Sequence, residues 1–187
     1  MSVIHARIYN WAKTNNILPP EQTAFQRGKG TESNIFILHS LIKHNMNKKA
    51  SKMFTMFADL TQAFDSINHT LLWRKLKVMG LSPKIIKNLS TFYSKLSSKI
   101  NTRQGWTNDI PITKGVLQGD PLSPLLFILF LADLPLFIPE KCGIKIGPYN
   151  LKLLLYADDI LLLANNRLSL KTGMKALRQY FLAIISL

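Results

Sequence analysis

Apolar and polar positions alternate in three distinct ways along this chain, and each rhythm predicts a different kind of element. Val3 to Lys13 carries apolar residues at helical spacing, and Ile17-Leu-Pro-Pro20 ends that helix. Gln22 to Thr31 is polar and punctuated by glycine, which predicts a loop or short hairpin. Ser33 is suited to cap a second helix whose apolar face holds Ile35, Leu38, Leu41 and Ile42 and which fades into the polar cluster Asn45 to Lys49. Met53 to Ala58 is rich in aromatic and long apolar residues, so it is expected to be a strand that delivers Asp59 at its end.

Helical spacing returns from His69 to Met79 and stops at Gly80, a residue fitted to a left-handed C-terminal cap. Ser82-Pro83 restarts a helix with a capping hydroxyl and a proline in its first turn. Lys99 to Asn101 and Asp109 to Val116 are expected to be strands around a Gly105-Trp106 turn, and Asp120-Pro121 to open a helix that runs to about Asp133. Within it, Leu125 to Leu131 is far short of the roughly 20 uncharged residues a membrane-spanning helix needs, so it is expected to be buried. A last amphipathic helix covers Ser169 to Leu187. There are no internal repeats, low-complexity tracts or linkers, and the length suits one domain or slightly more.

The run Leu151 to Ala164 is apolar almost throughout, yet it contains Asp158 and Asp159 side by side. A helix apolar all round would bury both carboxylates and Lys152, so a hairpin is the better assignment. Two unneutralised carboxylates among leucines cost several kcal/mol in desolvation and repulsion unless a cation receives them. Neighbouring side chains on a strand point to opposite faces, so the pair serves one site only at or beside the turn. Asp158 is therefore the first candidate metal ligand and Asp159 a nearby contributor.

Charge changes the picture. Lys and Arg number 24 against 10 Asp and Glu, a formal net charge of +14. Such a chain attracts polyanions, so a cation site in it must be a local pocket of acids, and the combination describes enzymes that act on phosphates. The single cysteine, Cys142, excludes an internal disulfide framework and reads as a structural thiol in a reducing compartment. The N-terminus lacks the pattern of a secretory signal, so an intracellular setting, nucleus or cytoplasm, with no membrane partner is expected. Magnesium prefers near-octahedral oxygen ligands and calls for a third carboxylate. Asp59, at the end of its strand, is the better candidate, whereas Asp65 is expected to cap or complement the next helix.

Phe57-Ala-Asp-Leu-Thr-Gln-Ala-Phe-Asp65, Gly115-Val-Leu-Gln-Gly-Asp-Pro-Leu-Ser-Pro-Leu-Leu-Phe127 and Tyr156-Ala-Asp-Asp159, in this order, resemble the three central motifs of reverse transcriptases. The likeness is to the non-LTR, LINE-like retrotransposon branch, and Leu18 to Thr31 is similar to that branch's fingers segment. Group II intron maturases and telomerase share this core. The resemblance implies an α+β polymerase palm, a ferredoxin- or RRM-like antiparallel sheet backed by helices, with partial fingers over 1–52 and palm over 53–187. It implies RNA-directed DNA polymerase activity with two Mg2+ ions, or Mn2+ in their place, a deoxynucleoside triphosphate, an RNA template and a DNA primer.

By motif position, the resemblance assigns Asp59 and Asp158 to both metals, with help from Asp159 and the Leu60 carbonyl. Gln62 and Ala63 match positions whose backbone faces the incoming nucleotide, and Phe64 matches the bulky gate against a ribose 2′-hydroxyl. Gln118 and Gly119 match the segment beside nucleotide and template. Arg27 and Lys29 are the cations available for triphosphate oxygens, although Ala24-Phe25-Gln26 stands where the family has Gly-Phe-Arg, and a solvated basic loop is the competing assignment. Lys43, Lys48, Lys49, Lys75, Lys77, Lys84, Lys87, Lys95 and Lys99 are candidates to line a template-primer groove beside Trp73, Tyr93 and Trp106, most of them as plain surface charge. By the resemblance, a lysine-bearing segment and a thumb are expected beyond Leu187, and this sequence, without these or an endonuclease domain, is expected to be an internal piece of such a polymerase. Metal and nucleic-acid binding without processive synthesis is therefore expected, the alternative being an inactive nucleic-acid-binding remnant.

Overall fold

The computed structural model describes residues 2–46 and 52–185. In chain order these form α1 (Ser2–Thr14), α2 (Thr31–Met46), β1 (Phe54–Ala58), α3 (His69–Val78), α4 (Pro83–Tyr93), β2 (Ser97–Ser98), β3 (Asn101–Thr102), β4 (Gly105–Trp106), β5 (Ile110–Pro111), α5 (Ser123–Phe130), α6 (Leu134–Phe137), β6 (Ile144–Ile146), β7 (Tyr149–Leu151), β8 (Leu153–Tyr156), β9 (Asp159–Ala164) and α7 (Arg167–Ile185).

The leucine-rich run is the centre of the molecule, and it is a hairpin. β8 pairs with β9 and β9 with β1, both antiparallel, giving the order β1-β9-β8. One face, with Leu153, Leu155, Ile160 and Leu162, joins a core that includes Leu72 of α3, Leu126 of α5 and Leu177 of α7. The other face, with Leu154, Leu161 and Leu163, packs on Leu41 of α2 and Ile144 of β6. Coverage on both faces explains why the run lacks the polar alternation of a half-exposed strand. Lys152 is buried all the same, with its ammonium donating to the Ile138 carbonyl at 3.0 Å and to Glu140 Oε1 at 2.6 Å. That pairing also holds the Glu140 carboxyl below its usual range.

Helix α5 is buried all round, as its composition requires, and no helix among the described residues is long and apolar enough to cross a membrane. Helix α7 approaches the sheet so closely that a Cβ at Gly173 would lie 2.9 Å from Leu162 Cδ2. Ile8, Tyr9, Ala12 and Ala24 from the N-terminal quarter share the core of α3, α5 and α7.

Several local expectations change. α2 begins at Thr31, so Ser33 lies inside it, and Ile35 and Ile42 are exposed while Leu41 is buried. Gly105-Trp106 is not a turn but a strand paired with Asn101-Thr102, and the stretch from Asp109 to Val116 contributes a two-residue strand, Ile110-Pro111, against Ser97-Ser98 and an isolated bridge from Lys114 to Asn68. Asp120 closes a turn onto the Leu122 N–H, and the helix starts three residues later, at Ser123, and breaks at Leu131 before α6. Leu151 belongs to the β6–β7 hairpin, which the hydrophobic pattern does not announce. Asp65 is not a cap, because Asn68 accepts the Leu71 N–H at the start of α3. Lys48, Lys49 and the chain end at Leu187 lie outside the described residues.

Burial pushes the phenols of Tyr93 and Tyr180 above the ordinary tyrosine range, in Tyr180 with help from the Asp133 carboxylate. Unfolded phenols lose their proton near about pH 10, so above that pH the unfolded chain holds fewer protons than the folded one and stability falls. Burial acts on the Lys75 ammonium in the opposite sense, lowering its value, and its opposing slope ends at about pH 10.4. The urea midpoint is therefore expected to drop between about pH 10 and 12, with a smaller drop in Tyr180→Phe. An equal drop in both proteins would contradict the assignment.

Candidate active site

β1 and β9 run in register from Phe54↔Ala164 to Ala58↔Ile160. Carrying the ladder one pair further sets Asp59 opposite Asp159. Both aspartates are exposed and line one cleft of about 520 Å³, between the open end of the sheet and α2, with Phe57, Tyr156 and Asn34 in its wall. Asp158 occupies the two-residue loop between Tyr156 and Asp159, half-buried, and is absent from the lining of that cleft. The ladder thus makes Asp59 and Asp159 cross-strand neighbours, with Asp158 the adjoining residue of the loop. Among the described residues no group of three acids, histidines or cysteines is arranged to hold a metal ion, and none of the three aspartates is in a salt bridge. A carboxylate pair is nevertheless a fitting donor set for Mg2+, which commonly takes one or two carboxylates and completes its shell with water and substrate phosphates.

The loop carrying Asp158 is strained. Ala157 has φ 53°, in the left-handed region, at a cost of roughly 1–2 kcal/mol for a residue with a Cβ. A buried glutamine from the other end of the chain grips it: Gln22 Oε1 accepts the Ala157 N–H at 3.1 Å, and Gln22 Nε2 faces the Ala157 carbonyl at 3.4 Å. Beside it, Leu155 donates its N–H to the Glu21 carbonyl, and its own carbonyl accepts from the Thr23 N–H and Asn34 Nδ2. Sequence reasoning missed Gln22 and Asn34, since no local signal marks contacts 135 and 121 residues away.

The motif residues surround the cleft unevenly. Leu60 is half-buried beside Asp59, on the side toward α7. Gln62 is exposed at φ 53° and Ala63 is buried. Phe64 stacks on Phe127 with centroids 4.6 Å apart and meets Phe25 edge-on. Gln118 donates its side-chain amide to Asp65 at 3.2 Å, and Gly119 is exposed with open space beside it. Gly115 fixes this segment against the turn after Asp59: at φ 88°, a Cβ there would lie 3.0 Å from the Asp65 backbone. His69 faces the Gly115 carbonyl at 2.6 Å, a role its sequence context does not suggest.

Other candidates are engaged elsewhere. Arg27 lies over the Tyr9 ring, 5.7 Å from its centroid, and neither it nor Lys29 lines the cleft. Lys75 is not a groove cation, because its ammonium is tied to Asp133 at 2.7 Å, to Tyr180 and to the Phe130 carbonyl. Lys99 pairs with Asp109 at 3.6 Å at the surface. Tyr93 is core, Trp73 is half-buried against it, and Trp106 is 68% exposed. Cys142 is buried and donates to the Ser169 carbonyl, with its thiol pushed up by burial, as suits a structural residue.

An antiparallel sheet covered on both faces, with acids at its open end, is a mixed α and β fold shared with telomerase. The chain superposes on apo telomerase from Candida tropicalis with a TM-score of 0.67 and 14% identity, over 98% of this chain and 37% of that one. It superposes on Candida albicans telomerase, solved with a fragment of telomeric RNA, with a TM-score of 0.66 and 11% identity, over 97% of this chain and 32% of that one. Residues 1–184 match the family described as reverse transcriptase (RNA-dependent DNA polymerase), and the chain belongs to that family. It is 29% identical over 154 residues to the Pol polyprotein of the type-2 retrotransposable element R2DM of Drosophila melanogaster, covering 81% of this chain and 14% of that protein. It is 31% identical over 168 residues to the Pol polyprotein of type-1 retrotransposable element R2 of Popillia japonica, covering 88% of this chain and 23% of that protein. The chain therefore spans less than a quarter of the length of these curated relatives.

Proposed function

We propose that this chain carries the nucleotidyl-transfer centre of a non-LTR retrotransposon polymerase, joining a deoxynucleotide to a DNA primer 3′-hydroxyl on an RNA template. The observation that supports this best is the cross-strand meeting of Asp59 and Asp159, next to Asp158, in a chain of net charge +14. Asp59, Asp158 and Asp159, with the Leu60 carbonyl, are the groups that would hold two Mg2+ ions, or Mn2+. When bound, such ions supply Lewis-acid stabilisation of the attacking and leaving oxygens in an in-line displacement.

The remaining roles belong to this chain's own residues. Gln62 and Ala63 offer backbone to the triphosphate, and Phe64, fixed on Phe127, blocks a ribose 2′-hydroxyl. Gln118 and Gly119 border nucleotide and template, where open space beside Gly119 admits a ligand close to the backbone. Arg27 and Lys29 neutralise triphosphate oxygens, which requires Arg27 to leave the Tyr9 ring. In this reading 1–52 are partial fingers and 53–187 palm, acting inside the cell on nucleic acid.

A second reading, a nucleic-acid-binding remnant without catalysis, draws on the lack of a three-acid cluster among the described residues. Primer extension separates the two. These residues, exchanged for the matching segment of a full-length relative, are expected to support DNA synthesis on an RNA template in Mg2+ and none in excess chelator. RNA binding without any extension would establish the remnant.

A further inference from the structure

We infer that Gln22 is a positioning residue for the acidic turn, holding Ala157 in its left-handed conformation and so setting where Asp158 and Asp159 stand. The inference rests on the reading of those aspartates as metal ligands, but its geometry stands by itself. Gln22 is 1% exposed and its carboxamide engages both backbone groups of Ala157, the one non-glycine residue of the hairpin loop with positive φ. The same Oε1 also accepts the Ala24 N–H at 3.0 Å, which fixes the amide's orientation. A neutral amide suits the task, because one planar group presents a donor and an acceptor where a carboxylate would present acceptors alone.

The grip continues along the strand. Glu21 and Thr23 pair with Leu155 on either side of Gln22, so the N-terminal segment runs beside the free edge of β8 as an extra, parallel-bridged piece of sheet. Asn34 adds α2 to the same carbonyl. The turn that carries the acids is thus built from both ends of the chain, and the segment that resembles the family's fingers is mechanically joined to it. An enzyme site needs its ligands held to within a fraction of an ångström, which a strained two-residue loop does not achieve unaided.

The test uses this chain with Mn2+ as the probe, measuring amide exchange by NMR and Mn2+ affinity by titration. Gln22→Met, similar in length but without either hydrogen-bonding group, is expected to speed exchange of the Ala157 amide and to weaken Mn2+ binding, each by roughly tenfold, while Leu126 in α5 keeps its protection. Adding Ala157→Gly, which removes the steric objection to positive φ, is expected to restore most of the Mn2+ affinity. Unchanged exchange at Ala157 would overturn the proposal, and so would a loss of Mn2+ affinity that Ala157→Gly leaves unrepaired. Should Gln22→Met not fold, Gln22→Asn, whose amide is one methylene too short to reach Ala157, takes its place: faster Ala157 exchange supports the clamp and an unchanged rate refutes it. Asp59→Asn, measured alongside, separates the two claims. Mn2+ binding indifferent to Asp59→Asn would remove the acidic centre, while the exchange rates would still decide the clamp.

Discussion

Replacing Asp158 with alanine is expected to lower primer extension by at least about a thousandfold, in the same full-length chimera that supports synthesis with the aspartate. The magnitude follows from the chemistry. Divalent ions contribute several kcal/mol of charge stabilisation in phosphoryl transfer, and about 4 kcal/mol corresponds to three orders of magnitude in rate. Asp158 sits in the hairpin loop between Tyr156 and Asp159, so alanine there leaves the β8–β9 ladder intact. Stability should change little. Asp109→Asn is the natural control, since that exposed carboxylate lies at the surface beside Ser97 and Lys99 and is absent from the cleft that Asp59 and Asp159 line. Extension that survives Asp158→Ala would remove this residue from the centre, however well the rest of the fold behaves.

The largest expected loss of stability lies elsewhere, at Asp133. Its carboxylate accepts from the Lys75 ammonium at 2.7 Å and from the Tyr180 hydroxyl at 2.6 Å, and the Lys75 side chain is 11% exposed. The ammonium also lies over the Phe130 and Tyr180 rings, 4.8 and 4.9 Å from their centroids. Asp133→Leu would leave a buried cation and a buried phenol without their common acceptor, at a cost of about 3 kcal/mol. For a chain of this size that corresponds to a fall in Tm of roughly 6–12 °C. Removing both charges in Lys75→Met/Asp133→Leu is expected to recover most of it, because the penalty is an uncompensated charge rather than a missing attraction. A double variant no more stable than the single one would show that packing, not charge, sets the cost.

How far the sequence could be read follows from how local each signal is. The strand into Asp59, the helices from His69 and Pro83, and the acidic hairpin turn are all legible, since each is decided by neighbours within a few residues. The β6–β7 hairpin escapes because its three-residue strands are too short for a periodic signal. Ile35 and Ile42 fit an apolar helical face, yet they are exposed, because α2 meets the sheet through Leu38 and Leu41. Lys75 reads as one more surface cation, and only the fold reveals Asp133 and Tyr180 around it.

The site shows the same division. The acids are legible from the cost of placing them among leucines, but which two meet depends on the register of β1 against β9, and that is set across a hundred residues. Reasoning from the turn favours Asp158, and the ladder, carried one pair further, adds Asp159 as the residue opposite Asp59. The Gln22 contact is illegible for the same reason, since a glutamine in a polar loop has no sequence feature that foretells a partner on a distant strand.

The central claim is that Asp59 and the acids of the hairpin share divalent cations. A Mn2+ titration of this chain followed by electron paramagnetic resonance reads that directly, compared with Asp59→Asn. Two bound ions in the unsubstituted chain, weakened by roughly tenfold or more when the residue 59 carboxylate becomes an amide, is the predicted result. Superimposable titrations of the two proteins would contradict it.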